Sequence, residues 1–306
     1  MKQILKYYYN IEIDDFEMEN NVCFFNFNKY NFYLVPFTRD ENNLIDIIEV
    51  SKEMKKRKID CHNIILNRFN KVLTQFNNIN YILLNVGKNF DDDINIFDMH
   101  FINQKLRVNN DLRKKYKNNW QNNWLHNIDY FEMQIRNYGK LKTGILNTFS
   151  YYTGMAEIAI EYAGFANTNF IIDEGDYISL SHRRIFYPNY KLNYLNPISF
   201  IFDLEIRDYA EYFKTRFFHE ENVYQELTSF FKTVKFGAYS YNMFYARLLY
   251  PSYYFDLYEK VLIEGKSEES LINVVSKQKE YERFLRFAYN EISKYAPIKK
   301  ISWLTL

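Results

Sequence analysis

The sequence predicts an α+β chain, with a small β-rich N-terminal lobe followed by a large helical lobe. Three observations carry that reading. Residues 21–86 hold four short runs of β-formers parted by polar, Asn-rich turns. From about residue 110 the apolar residues recur three and four positions apart, the period of a helix face. Between the two patterns, residues 87–93 are polar and acidic, which divides the chain into residues 1–88 and 89–306.

Taken in order, Val22-Cys23-Phe24-Phe25-Asn26-Phe27 and Phe32-Tyr33-Leu34-Val35 read as two strands, with 28–31 as their turn. Asp40 stands where it can cap a helix carrying Leu44, Ile47, Ile48 and Met54 on one face. The basic run Lys55-Lys56-Arg57-Lys58 ends that helix and complements its dipole. Residues 72–76 and 81–86 read as two more strands, turned at 77–80. In the second lobe Trp120, Trp124, Ile128, Phe131, Ile135 and Tyr138 are spaced 4, 4, 3, 4 and 3, one face of a long helix that Gly139 would stop. The Trp pair then belongs to the core. A helix over about 149–163 carries the small residues Gly154, Ala156, Ala159 and Ala163, which permit close approach, with Gly164 as its cap. Residues 176–206 turn strand-like and loop-like, and 198–202 form an apolar strand ending at Asp203. Beyond Asp208 the chain reads as helices, the last long one capped by Ser267 with Glu268 and Glu269.

The 306 residues include 39 Lys+Arg and 38 Asp+Glu, a net charge of +1. A chain of this length buries about three quarters of its unfolded surface and needs no staples. Balanced charge argues against nucleic acid as a partner, because phosphate backbones call for a basic excess. Eight Gly and five Pro argue against Gly-rich phosphate loops and long linkers. The chain is rich in Tyr (29), Phe (28) and Asn (36), residues with AT-rich codons. An AT-rich bacterial genome explains that bias; an aromatic surface kept for assembly or Tyr cross-linking is the other reading. Cys23 and Cys61 make neither a disulfide framework nor a zinc site, which suits a reducing compartment. No run of 18 apolar residues and no signal-peptide pattern occurs, so the expectation is a cytoplasmic protein with no transmembrane segment.

Familiar motifs are absent. No G-x-G-x-x-G, G-x-S-x-G or H-E-x-x-H occurs, and Gly265-Lys266-Ser267 lacks the Gly that a P-loop needs five residues earlier, where Lys260 stands. The segment able to carry chemistry is Ser181-His182-Arg183-Arg184-Ile185-Phe186-Tyr187-Pro188-Asn189, followed by Ile201-Phe202-Asp203. It resembles the aminoglycoside-phosphotransferase and choline-kinase-like superfamily, whose loop reads H-G-D-x-x-x-x-N before a strand that ends in Asp. The resemblance implies a bilobed protein-kinase-like fold, with ATP and Mg²⁺ as cofactors of an active member. It sets His182 at the loop His, Asn189 at the loop Asn and Asp203 at the strand-end Asp, the last two as metal ligands. Arg184 occupies the place of the catalytic Asp, and a guanidinium cannot serve as a base. The strand that should carry a phosphate-pairing Lys reads Tyr33-Leu34-Val35-Pro36, and the hairpin over the phosphates has no Gly. Glu49 or Glu53 matches the helix Glu that pairs with that Lys, but the Lys is missing. No cofactor is therefore certain.

A closer resemblance covers about 150 residues. Phe149-Ser150-Tyr151-Tyr152-Thr153-Gly154-Met155-Ala156-Glu157-Ile158-Ala159-Ile160, Leu180-Ser181-His182-Arg183-Arg184, Phe202-Asp203 with Arg207-Asp208-Tyr209-Ala210-Glu211, and Ala246-Arg247-Leu248-Leu249-Tyr250-Pro251 with Tyr253-Tyr254-Phe255-Asp256 are similar to the spore-coat-associated kinase-like family of endospore formers, the YutH and CotS type. Tyr281-Glu282, Phe284-Leu285 and Ser302-Trp303-Leu304 fit as well. That resemblance implies a sporulation role, other spore-coat proteins as partners, and a place in the mother-cell cytoplasm and then the coat. With the base and the Lys missing, the reading is a pseudokinase acting in binding or assembly. The alternative is an active Mg-ATP-dependent small-molecule phosphotransferase with a displaced base.

Residue by residue, alternatives stay open. Asp203 is a metal ligand or a cap; His182 acts in chemistry or is a buried structural His; Asn189, after Pro188, is also an ordinary turn residue. Arg207 and Asp208 pair with each other or cap the helix that follows. Arg183 and Arg184 grip a phosphate or an acidic partner, or they bridge to Asp203 and close the metal site.

Overall fold

The computed structural model describes residues 1–19, 22–59, 61–87, 93–109, 113, 116–138, 143–185, 194–219 and 222–304. Gly139, Pro188 and Asn189 lie outside the described residues. The chain divides into two compact units, Met1–Asn95 with Pro188–Ile201, and Ile96–Tyr187 with Phe202–Leu306. The first is built on an antiparallel sheet and the second is mainly helical, the α+β architecture that the sequence pattern predicts.

In the first unit β1 (Glu17–Glu19), β2 (Val22–Phe27), β3 (Tyr30–Pro36), β6 (Ile79–Gly87) and β4 (Asn63–Ile65) lie in that order, and β5 (Thr74–Phe76) also pairs with β6. Each hairpin turn is tighter than the four-residue turns expected. Phe27 pairs with Tyr30 and Phe76 with Ile79, so two residues suffice in each. Asn28, Lys29, Asn77 and Asn78 all have positive φ, the left-handed geometry that two-residue hairpins demand and Asn tolerates. The sheet's alternation buries two faces. Cys23, Phe25, Phe32, Leu34, Tyr81 and Leu83 pack with Ile4 and Leu5 of the helical N-terminus. Ile82, Leu84 and Val86 pack on the other face with Ile47 of α1 (Leu44–Lys56). Asp40 accepts from the Asn42 N–H at 2.9 Å and opens the 3₁₀ turn that leads into α1. The segment around 195–200 is tied in by two backbone clasps. The His62 N–H donates to the Leu195 carbonyl, and Arg39 donates to those of Ile198 and Phe200. The sequence pattern gave no sign of β1 or β4, which are three residues each.

The second unit begins with α2 (Ile96–Leu106) and α3 (Trp120–Tyr138). Next comes α4, which runs from Thr143 to Asn169 and is longer than the helix expected over 149–163. Gly164 is therefore not a cap. A Cβ there would meet the amide end of the Gln121 side chain of α3 at 2.4 Å, a flexible group that can move aside. Strands β7 (Ile178–His182) and β8 (Phe200–Leu204) form a two-stranded sheet, followed by α5 (Ile206–Phe218), α6 (Val223–Thr233), α7 (Ala238–Leu249) and α8 (Ser252–Leu262). The expected last long helix is two. Ser267 accepts from the Glu269 N–H and starts α9 (Glu269–Ser276), while α10 spans Gln278–Ile292. The break falls at Lys277, which turns its ammonium to the Phe218 carbonyl at 2.9 Å.

The aromatic excess is spent on this core. Trp124 stacks on Tyr250, Phe131 on Phe255 and Tyr152 on Tyr254, with ring centres 3.9–4.5 Å apart. Two buried phenols find carbonyls, Tyr281 that of Leu248 and Tyr258 that of Phe131. Among the described residues the exposed tyrosines are Tyr7, Tyr30 and Tyr130; Tyr254 is buried, and Tyr8, Tyr9 and Tyr253 are half-buried.

Candidate functional site

The site lies in the second unit, where β7 and β8 end and α5 begins. All five β7 residues are buried, and its polar members are satisfied inside the protein. The hydroxyls of Ser179 and Ser181 lie 3.1 Å apart, and Ser181 also donates to the Leu204 carbonyl. The strand delivers His182 to a carboxylate. Asp208, in the first turn of α5, accepts from the His182 backbone N–H at 2.8 Å and faces ring Nδ1 at 2.7 Å. Both side chains are fully buried. An ionised Asp208 only accepts, so this contact puts a proton on Nδ1.

Asp203 sits on β8 with its carboxylate ringed by donors. The Trp120 indole N–H lies 3.0 and 2.8 Å from its two oxygens. The Tyr116 hydroxyl donates to Oδ1, the Leu204 N–H reaches the same oxygen at 2.8 Å, and Arg207 donates to Oδ2 at 2.6 Å. Burial and the Asp203 carboxylate raise the Tyr116 phenol well above its ordinary pKa, so it stays a donor. The bridge that the sequence offered to Arg183 or Arg184 is made by Arg207. Arg207 also holds the loop backbone, donating to the carbonyls of His182 at 2.7 Å and Arg183 at 3.0 Å.

Arg184 turns elsewhere. Its fork pairs with Asp256 of α8 through Nε at 3.1 Å and Nη2 at 3.0 Å. Further along α5, Glu211 binds Arg247 at 2.8 Å and Lys214 at 3.2 Å, and Lys214 also donates to Ser252 and the Tyr250 carbonyl. Burial alone would raise the Glu211 carboxyl, but Lys214 and Arg247 hold it well below the usual range. Burial dominates at Lys214 and pushes its ammonium down to about 8. The Arg247 guanidinium lies over Trp120, 4.8 Å from the ring centre, which links this cluster to the Asp203 ring of donors.

The structure thus gathers His182, Arg184 and Asp203 around one loop. In the first unit, Glu49 is exposed and Glu53 pairs with Arg57 of its own helix at 2.7 Å. Sequence reasoning set Trp120 in the core, where it is, but missed that its N–H serves Asp203. Periodicity reports which face is buried, not which atom on that face needs a partner. Asp256 was visible only as part of a segment, with nothing to tie it to Arg184.

Among solved structures, an aminoglycoside phosphotransferase from Alicyclobacillus acidocaldarius superposes with TM-score 0.59 at 7% identity, covering 92% of this chain and 93% of that one. A spectinomycin phosphotransferase solved with ADP and spectinomycin gives TM-score 0.55 at 13% identity, with 95% and 97% covered. These likenesses show the fold. In sequence, the endospore coat-associated protein YutH of Bacillus subtilis is 25% identical over 206 residues, and the match spans about three fifths of either chain. The family described as "Spore coat putative kinase YutH" matches residues 2–288. With that match over most of its length, the chain belongs to this spore-coat family of kinase-like proteins.

Proposed function

We propose that the chain is a non-catalytic member of its family, a kinase-like protein that acts by binding or assembly among other coat proteins. The reading includes synthesis in the mother-cell cytoplasm before the coat. The observation that carries it is the ring of donors on Asp203. Mg²⁺ demands oxygen ligands in near-octahedral order. An acceptor already facing an indole N–H, a phenol, an amide and a guanidinium does not fit that ion, and the Arg207 charge opposes it. Among the described residues no group of three or more His, Cys, Asp or Glu is placed to hold a metal. Arg184 adds to this reading, because a guanidinium at the place of the base accepts no proton and this one is clamped to Asp256. Among the described residues no helix is long and apolar enough to cross a membrane.

The test is transfer of the γ-phosphate of ATP, with Mg²⁺, to aminoglycosides and other small hydroxyl compounds and to water. No transfer above background, and no Mg²⁺-dependent rise in melting temperature with ATP, is the result expected. Mg-ATP-dependent phosphorylation that Asp203→Asn abolishes, in a variant whose circular dichroism is native, would overturn it and establish the active phosphotransferase.

A further inference from the structure

Among the described residues, three arginines gather at the end of β7 and the start of α5, and two carboxylates face them. Arg207 is committed to Asp203 and to the carbonyls of His182 and Arg183. Arg184 is committed to Asp256, and its Nη1 meets the Arg183 carbonyl at 3.3 Å. Arg183 stands between these groups and is exposed. Among the described residues its guanidinium meets no carboxylate, carbonyl or ring. Partial burial and the like charges of Arg184 and Arg207 push its pKa below the ordinary value. Its backbone, by contrast, is fixed, since two guanidinium groups hold its carbonyl and one holds that of His182.

An unpaired planar fork whose backbone is held in place is open to an oxyanion. We propose that Arg183 is the receptor for a phosphate-bearing ligand, bound without a divalent cation. The proposal deepens the non-catalytic reading, since it rests on Asp203 being closed. A phosphotransferase site offsets phosphate charge with a metal held by carboxylates, and here the Arg183 guanidinium, carried on a fixed backbone, supplies the positive charge. Phosphate is favoured over carboxylate because Coulomb attraction to the Arg183 charge scales with ligand charge. The ligand is then a nucleotide, another polyphosphate or a simple phosphate.

The full chain is titrated calorimetrically with ADP, tripolyphosphate and inorganic phosphate in turn, with EDTA present. Binding of at least one probe is expected, weakened roughly tenfold or more in Arg183→Gln, as loss of a charge-assisted hydrogen-bond pair implies. It should also weaken with added salt, because the group is exposed. ADP alone would mark a nucleotide site, tripolyphosphate equal to ADP a polyphosphate site, and inorganic phosphate equal to both a simple phosphate site. The unliganded melting temperature shows whether the variant folds, and Arg183→Lys, which keeps the charge and loses the fork, stands in if it does not. Binding that requires Mg²⁺, binding unchanged in the variants, binding of a poly-glutamate peptide only, or no binding of any probe would each overturn the proposal. These are metal-free equilibrium readings, so their failure is separable from that of the non-catalytic reading, which fails by turnover.

Discussion

Two arginine–carboxylate pairs flank the loop that follows β7. Arg207 meets Asp203 with side chains 12% and 7% exposed. Arg184 meets Asp256 in a two-pronged pair with side chains 35% and 39% exposed. The chemistry is the same and the solvent is not. For the buried pair, loss of hydration is offset only because Trp120, Tyr116 and the Leu204 amide complete the coordination of Asp203. For the outer pair, water competes for both partners and screens them. Arg207 therefore works as a keystone between β8, the loop and α5, and Arg184 as a strut between the loop and α8.

Arg207→Ala is the largest test of this contrast. It strands the buried Asp203 charge and releases the carbonyls of His182 and Arg183. Breaking a buried pair from one side costs about 3–5 kcal/mol. Urea unfolding should show that loss, with Arg207→Lys between the variant and the wild type because charge remains and the fork does not. A loss below about 1 kcal/mol would place Arg207 in the surface class of ion pair and remove the keystone.

A middle effect belongs to Lys214, two turns along the same helix. Its folded pKa of about 8 lies below the ordinary 10.5. The native state therefore releases this proton first, the unfolded state binds more protons, and stability rises with pH from about 8 toward 10.5. Equivalently, the contribution is full above 10.5 and is lost as pH falls through 8. Tyrosines act the other way. Burial raises Tyr250 and Tyr254 to about 12, so their contribution is full below pH 10 and is lost above it. From pH 8 to 9.5 these tyrosines are silent, and buried Cys23, raised above its ordinary 9.0, pulls the other way by an amount common to wild type and variant. Lys214→Met should flatten a rise of about 1–2 kcal/mol there. An unchanged slope in denaturation midpoints would show that Lys214 stays charged beside Glu211.

The sheet and the keystone differ in how far the sequence revealed them. Runs of β-formers between polar turns, Phe32-Tyr33-Leu34-Val35 and residues 81–86, were enough to place β3 and β6, because both faces of these strands are packed and nearly the whole run is apolar. The end of α4 was misread at Gly164. Glycine signals a stop only where the chain beyond it leaves the helix, and here α4 runs on to Asn169. In the site, His182 and Asp203 were legible through their spacing in a motif. Arg207 as the partner of Asp203 was not. Arg183, Arg184 and Arg207 are chemically equivalent in a sequence, and the start of α5 at Ile206 decides which one faces β8.

Arg184→Gln is the smallest effect and the sharpest control on the comparison. With both partners more than a third exposed, the pair is worth about 0–1 kcal/mol at low ionic strength and less in salt. A double-mutant cycle with Asp256→Asn should return a coupling in that range and shrink further at high salt. A coupling as large as the loss in Arg207→Ala, and insensitive to salt, would mean that the outer pair is desolvated in solution. Arg184 would then share the keystone role, and the loop position that the resemblance sets at the catalytic base would be a structural anchor of this chain rather than a replaceable strut.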